Sequence, residues 1–129
     1  MRKRVLIVED NFDNREIYAE ILRFAGYEIL EAENGARGVE KAQEHLPDII
    51  LMDLSMPLMD GWEAIAVLKG DARTASIPVL AVSAHVVMNG DYRRAEAAGF
   101  ISYITKPVEP KEVLREVQSR IGPPGDAQP

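Results

Sequence analysis

Ile49-Ile50-Leu51-Met52-Asp53-Leu54-Ser55-Met56-Pro57-Leu58-Met59-Asp60-Gly61 is the stretch whose reading decides the fold. Four large apolar residues run without a break into a carboxylate, and a Pro/Asp/Gly cluster follows. An apolar run bounded in this way reads as a strand buried on both faces, then a loop. Asp53 therefore stands at a strand's carboxyl end, the edge at which open parallel sheets bind ligands. A polar residue that merely ends a strand is the bland alternative, and its neighbours in the chain decide between the two.

Outward from that strand the same pattern recurs. Val5 to Val8 is an apolar run that stops at Glu9-Asp10, and Ile77 to Val82 is another that stops at Ser83, with Pro78 near its start. Tyr27 to Ala32 is more polar, interrupted by Glu28 and Glu31, and reads as an edge strand. Ile101 to Ile104 is a short strand ending at Thr105-Lys106-Pro107. Helical periodicity fills the intervals. Asp13 and Glu16 have the spacing of a capping box, with Ile17, Ile21, Phe24 and Ala25 as the expected buried face and Gly26 as the stop. Asn34-Gly35 opens a helix carrying Val39, Ala42 and Leu46, and Pro47 ends it. Asp60 and Glu63 form a second capping-box pattern before Trp62, Ile65, Ala66 and Leu68. Val87 to Ala98 is helical in composition but weakly periodic, and Pro110 precedes a last helix with Val113, Leu114, Val117 and Ile121 on one face.

Five strands alternating with five helices imply parallel βαβ units with right-handed crossovers. The expected fold is α/β, a (βα)5 flavodoxin-like doubly wound sheet. Strands one, three and four are the continuous apolar ones and belong in the middle, giving the order 2-1-3-4-5. Residues 1–121 form the expected domain, and the Pro/Gly-rich residues 122–129 are read as a disordered tail.

Composition narrows the chemistry. The 129 residues suit one domain with its own core. With no cysteine, a thiolate metal site, a disulfide and a cysteine nucleophile are all excluded. A net charge of −6 gives no footprint for nucleic acid. No apolar run approaches the roughly 20 residues of a membrane span, and no signal peptide is recognisable, so a cytoplasmic protein without a membrane partner is expected.

The topology gathers Glu9, Asp10, Asp53, Ser83 and Lys106 at one sheet edge, from four strands. Three adjacent carboxylates repel unless a cation compensates them. Oxygen ligands alone favour Mg2+ over zinc. A carboxylate beside Mg2+, a lysine and a hydroxyl is a set suited to in-line phosphoryl transfer: Asp53 as nucleophile, Lys106 and the metal neutralising charge, Ser83 donating a hydrogen bond.

From Val5 to Ile121 the chain resembles a response-regulator receiver domain of two-component signalling, of the single-domain chemotaxis or cell-cycle type. The family's acidic pair corresponds to Glu9-Asp10, its phosphoacceptor to Asp53, its conserved hydroxyl to Ser83 and its lysine-proline to Lys106-Pro107. The resemblance implies that Glu9, Asp10, Asp53 and the Ser55 carbonyl hold Mg2+, and that the Lys106-Pro107 bond is cis. It further implies that Ser83, Tyr103 and Pro107 form a switch, and that Ser55 and His85 tune the lifetime of the phosphoryl group. A histidine kinase or histidine phosphotransfer domain would be the donor. A downstream protein would read the surface of helix four, strand five and helix five, as monomer or phosphorylation-dependent dimer. The chain departs from the common pattern at Glu9, where aspartate is frequent, and at Ser83, where threonine is frequent. Two alternatives remain: a receiver cut from a larger regulator or hybrid kinase, and an aspartate-nucleophile phosphohydrolase, which would usually carry an acid where Ser55 stands.

Overall fold

The computed structural model describes residues 2–83, 89–106 and 108–125, and for residues 89–92 the backbone alone. His85, Pro107 and with it the expected cis bond lie outside the described residues. Ten elements alternate: β1 (Arg4–Val8), α1 (Phe12–Ala25), β2 (Glu28–Ala32), α2 (Gly35–His45), β3 (Ile49–Asp53), α3 (Gly61–Gly70), β4 (Val79–Ser83), α4 (Asn89–Ala98), β5 (Ser102–Thr105) and α5 (Pro110–Ile121). The strands form one sheet in the order β2-β1-β3-β4-β5, every pair parallel. The apolar runs hold the middle as their composition demands: β3 and β4 are buried throughout, whereas β2 and β5 keep partly exposed residues.

Alternation along the central strands feeds two apolar layers. Val5, Ile7, Ile49, Leu51 and Leu80 meet Tyr18, Ala19 and Leu22 of α1 and Val113 and Val117 of α5. Leu6, Val8, Ile50, Met52, Val79 and Ala81 meet Val39 and Ala42 of α2, Ile65 and Leu68 of α3, and Ala95 of α4.

The expected capping box of α3 is present, with Asp60 Oδ1 accepting from the Glu63 amide at 2.9 Å and Glu63 Oε1 accepting from the Asp60 amide at 3.3 Å. Its buried face takes Ala64 in place of Ala66. In α1 the sequence reading needs correction. The helix starts at Phe12 and Asn11 caps it, its side chain accepting from the Asn14 amide, so Asp13 and Glu16 form no box. Tyr18, Ala19 and Leu22 are buried, and the expected Ile21 and Ala25 pack partly buried against the same layer, while Ile17 is 46% and Phe24 94% exposed. One residue is about 100° around a helix, and the small Ala19, fully buried, lies against the sheet in the layer that Val5, Ile7 and Leu51 feed. The expected Leu46 contact also fails, because Leu46 caps α2 with φ 48° and is 53% exposed.

Residues 122–125, read as the start of a disordered tail, make defined contacts. The Tyr27 hydroxyl donates to the Gly122 carbonyl, and the Lys3 amide donates to the Pro124 carbonyl at 2.7 Å. Tyr27 is a buried phenol that needs an acceptor, which the turn after α5 supplies. Residues 126–129 lie outside the described residues.

Candidate functional site

Parallel registers bring the strand ends level. Val8 pairs with Met52, Asp53 with Val82, and Ser83 with Thr105. Glu9 follows β1, Asp53 ends β3, Ser83 ends β4 and Lys106 follows β5, so all four converge at the carboxyl edge between β1 and β3, where the connections diverge to opposite faces. Glu9, Asp53 and Ser83 are buried, at 2%, 4% and 0% exposure.

Lys106 joins the acidic side chains. Its Nζ donates to Glu9 Oε1 at 2.8 Å and to Asp53 Oδ2 at 3.2 Å, while its backbone amide donates to the Ser83 carbonyl. The second oxygens are also satisfied: Glu9 Oε2 accepts from the Asn11 amide at 3.1 Å, and Asp53 Oδ1 from the Ser55 amide at 3.0 Å. Burial works to lower the Lys106 pKa, but the Glu9 hydrogen bond and the attraction of Asp53 and Glu9 outweigh it and raise the pKa above its ordinary value. The stabilisation is therefore complete below the lysine's unfolded pKa and is lost only as pH rises through the higher folded value. Asp10 lies at the rim, exposed, and its carboxyl is raised by partial burial and then by the hydrogen bond and charge of Glu9.

Glu9, Asp10 and Asp53 each offer an oxygen, all three within 4.8 Å of one another. Such a set repels itself and suits a hard divalent cation that retains several waters. The residues present fit Mg2+: the candidate ligands are all carboxylate oxygens, two of the carboxylates are buried, and the third opens to solvent.

The β3–α3 loop closes tightly under the site. The Gly61 amide donates to the Leu54 carbonyl, and a Cβ on Gly61 would stand 2.5 Å from the Asp53 carbonyl oxygen, so only glycine allows the loop to return there. Beside the carboxylates opens a cavity of about 570 Å³ whose lining includes Ser55, Trp62, Ser83, Arg94 and Tyr103. Trp62 is held edge-on to Phe100 and carries the Arg94 guanidinium 4.0 Å from its ring centre.

The structure thus unites Glu9, Asp10, Asp53 and Lys106, sets Ser83 and Ser55 beside them, and puts Tyr103 across the adjoining cavity. Two residues escaped the sequence reading. Tyr18 lies beneath the cluster, its phenol pKa raised by burial, lowered in part by Lys106 and raised by Glu9 and Asp53. Arg15 donates to the Glu9 carbonyl at 2.8 Å. Both project from α1, whose buried face the apolar periodicity placed only in part.

An acidic cleft bridged by a lysine thus lies at the switch point of this sheet. Residues 5–118 match the family model described as the response regulator receiver domain, and the chain belongs to that family. It is 38% identical over 122 residues to the polar-differentiation response regulator DivK of Brucella anthropi, covering 95% of this chain and 98% of that one. The DivK protein of Brucella ovis is 37% identical over the same length. Among solved structures, the Vibrio cholerae chemotaxis protein CheY4 superposes with a TM-score of 0.87 at 27% identity, covering 93% of this chain and 99% of that one. The receiver domain of a Pseudomonas aeruginosa sensor histidine kinase, with a magnesium ion coordinated in its active-site cleft, gives 0.85 at 30% identity over 95% and 99%. Receiver domains are signalling proteins and not conventional enzymes, and as a family they interact with histidine kinases and downstream targets. No helix among the described residues is long and apolar enough to cross a membrane.

Proposed function

We propose that this chain is a phosphoacceptor response regulator, taking a phosphoryl group onto Asp53 from a phosphohistidine of a kinase or phosphotransfer protein. The observation that carries the reading is Lys106, held between two buried carboxylates at 2.8 and 3.2 Å at the mouth of a three-carboxylate cluster. An Asp53 oxygen attacks phosphorus, the P–N bond to the donor imidazole breaks, and an acyl phosphate forms on Asp53. Lys106 pairs with an equatorial phosphoryl oxygen, and the Ser83 hydroxyl donates to another. Glu9, Asp10, Asp53 and the Ser55 carbonyl would hold Mg2+, which would supply charge neutralisation for the transferring group.

Ser83 and Tyr103 line one cavity, which supports their coupling: movement of Ser83 toward the phosphoryl group opens space for Tyr103 to turn inward. The surface of α4, β5 and α5 then changes, and a downstream protein in the cytoplasm reads it. Ser55, whose amide already holds Asp53, and His85 tune the lifetime of the phosphoryl group.

Mass spectrometry after incubation with Mg2+ and acetyl phosphate tests the reading. One base-labile phosphoryl group is expected on wild type and none on Asp53→Asn. Wild type that takes up no phosphoryl group, and forms no beryllofluoride complex, sinks it.

A further inference from the structure

Glu9 and Asp10 have unequal support. The Glu9 carboxylate is tied on both oxygens, to the Asn11 amide and to Lys106. Asp10 is exposed at the rim, where its neighbour Glu9 is its side-chain partner, so its direction depends chiefly on the main chain that the two residues share. That main chain has left the sheet: the last paired residues of β1 and β2 are Val8 and Ala32. One more strand-like bond follows, from the Glu9 amide to the Ala32 carbonyl at 3.0 Å. The next peptide group, from the Glu9 carbonyl to the Asp10 amide, is held by a side chain instead. Arg15 reaches back from the first turn of α1 and donates to the Glu9 carbonyl at 2.8 Å.

Arg15 is itself fixed. Its Nε donates to Glu31 Oε1 at 3.1 Å, its guanidinium lies 5.5 Å from the Phe12 ring centre, and its side chain is only 14% exposed. Glu31 belongs to β2, so the guanidinium spans from the edge strand to the carbonyl that starts the acidic loop. A planar fork can bond two acceptors on different elements at a fixed angle, whereas an ammonium cannot impose that geometry. Glu31, which Arg23 also approaches at 3.7 Å, offsets part of the Arg15 charge, and the contact that Arg15 makes with the acidic loop is to a backbone carbonyl and so fixes orientation.

We propose that Arg15, braced by Glu31, is a positioning residue for the divalent cation: it fixes the Glu9–Asp10 peptide and so the direction in which Asp10 presents its carboxylate. The inference rests on the Mg2+ site of the proposed function. It also gives Glu31, a charged interruption in an apolar strand, a role that edge position alone does not. Groups that orient metal ligands typically change affinity by about 10- to 100-fold when removed.

Calorimetric titration of Mg2+ into metal-free wild type, Arg15→Ala, Arg15→Lys and Glu31→Ala tests this, with circular dichroism showing that each variant is folded. Arg15→Ala is expected to bind Mg2+ about tenfold more weakly or worse, Arg15→Lys to recover only part of the loss, and Glu31→Ala to fall between. In an Asp10→Asn background, Arg15→Ala should have a smaller effect, because the group it orients no longer carries the charge. A purely structural Arg15 would lower the melting temperature without moving Mg2+ affinity. Folded Arg15→Ala binding within twofold of wild type overturns the proposal; should Arg15→Ala not fold, the same result for Glu31→Ala overturns it. Wild type that binds no Mg2+ overturns the metal site itself, an outcome distinct from equal binding by wild type and variants.

Discussion

Replacing Lys106 with methionine keeps most of the side-chain volume and removes the cation between Glu9 and Asp53. At contact distances of 2.8 and 3.2 Å, an effective dielectric of about 20 gives each attraction a size on the order of 5 kcal/mol. Desolvation of the ammonium and mutual repulsion of the carboxylates offset much of this. Removing one partner of a buried ion pair costs about 3–5 kcal/mol. Lys106 is 18% exposed, which places the cost at the lower end, about 3 kcal/mol, or a fall of about 10–15 °C in melting temperature for a domain of this size. The variant also exposes the purpose of the lysine. Mg2+ bound by the same carboxylates would replace the lost charge, so saturating Mg2+ should stabilise Lys106→Met by at least about 1 kcal/mol more than wild type. Thermal unfolding followed by circular dichroism, in EDTA and in Mg2+, gives both numbers. A deficit below about 1 kcal/mol in EDTA, or the same Mg2+-induced shift in both proteins, would refute the reasoning.

Three further outcomes follow from single residues. Gly61→Ala puts a Cβ 2.5 Å from the Asp53 carbonyl oxygen and 2.8 Å from the Leu54 Cα, backbone atoms that cannot rotate away; a loss of about 1–3 kcal/mol and slower phosphoryl uptake are expected, and unchanged uptake kinetics would contradict it. Leu58 holds φ 69° while 87% exposed, so Leu58→Asn relieves left-handed strain without losing packing and should raise stability by about 1 kcal/mol in a denaturant melt. The Arg73 side-chain hydrogen bond, then its amide and charge and the Gln43 contact, hold Asp71 down to about 2 from an ordinary 3.8. A depressed carboxylate gives stability that is present above 3.8 and lost as pH falls through about 2. Asp71→Asn should therefore flatten the acid limb of the stability curve between those values, and an NMR titration midpoint at the ordinary value would remove the basis for this.

The sheet was open to reading because its signal is local. Val5–Val8, Ile49–Met52 and Val79–Val82 are apolar on both faces, and the polar residue that stops each one marks the same edge. Strand order follows from which runs are continuous, and Glu9, Asp10, Asp53, Ser83 and Lys106 fall into place with it. Helix faces depend on what lies beneath them. In α1 the apolar count favoured Ile17 and Phe24, but the sheet accepts the small Ala19 and the phenol of Tyr18, leaving Phe24 94% exposed. Arg15 was illegible for the same reason: an arginine one turn into an amphipathic helix reads as a solvated charge, and only the rotation set by packing points it at the Glu9 carbonyl. The contacts of Gly122 and Pro124 depend on pairings with Tyr27 and Lys3 that no short-range pattern encodes.

Four polar or charged residues are buried among the described residues: Glu9, Asp53, Thr74 and Ser83. Thr74 has a structural reason, since its hydroxyl donates to the Leu68 carbonyl at 2.7 Å and closes the turn after α3. The other three stand at the ends of β1, β3 and β4, and the turn amides that Glu9 and Asp53 receive, from Asn11 and Ser55, ask only for a neutral acceptor. Two buried carboxylates and an ammonium are a poor way to stabilise a fold, because neutral replacement of a buried ionic cluster is often neutral or favourable by about 1–4 kcal/mol. The triple variant Glu9→Gln, Asp53→Asn, Lys106→Met keeps acceptors for the Asn11 and Ser55 amides and removes every buried charge in the cluster. In metal-free buffer it should be more stable than wild type by about 1–4 kcal/mol while taking up no phosphoryl group, even though Lys106→Met alone is destabilised. The sign reversal is the test: charges kept for their chemistry give it, and charges kept for stability give a triple variant weaker than wild type in urea.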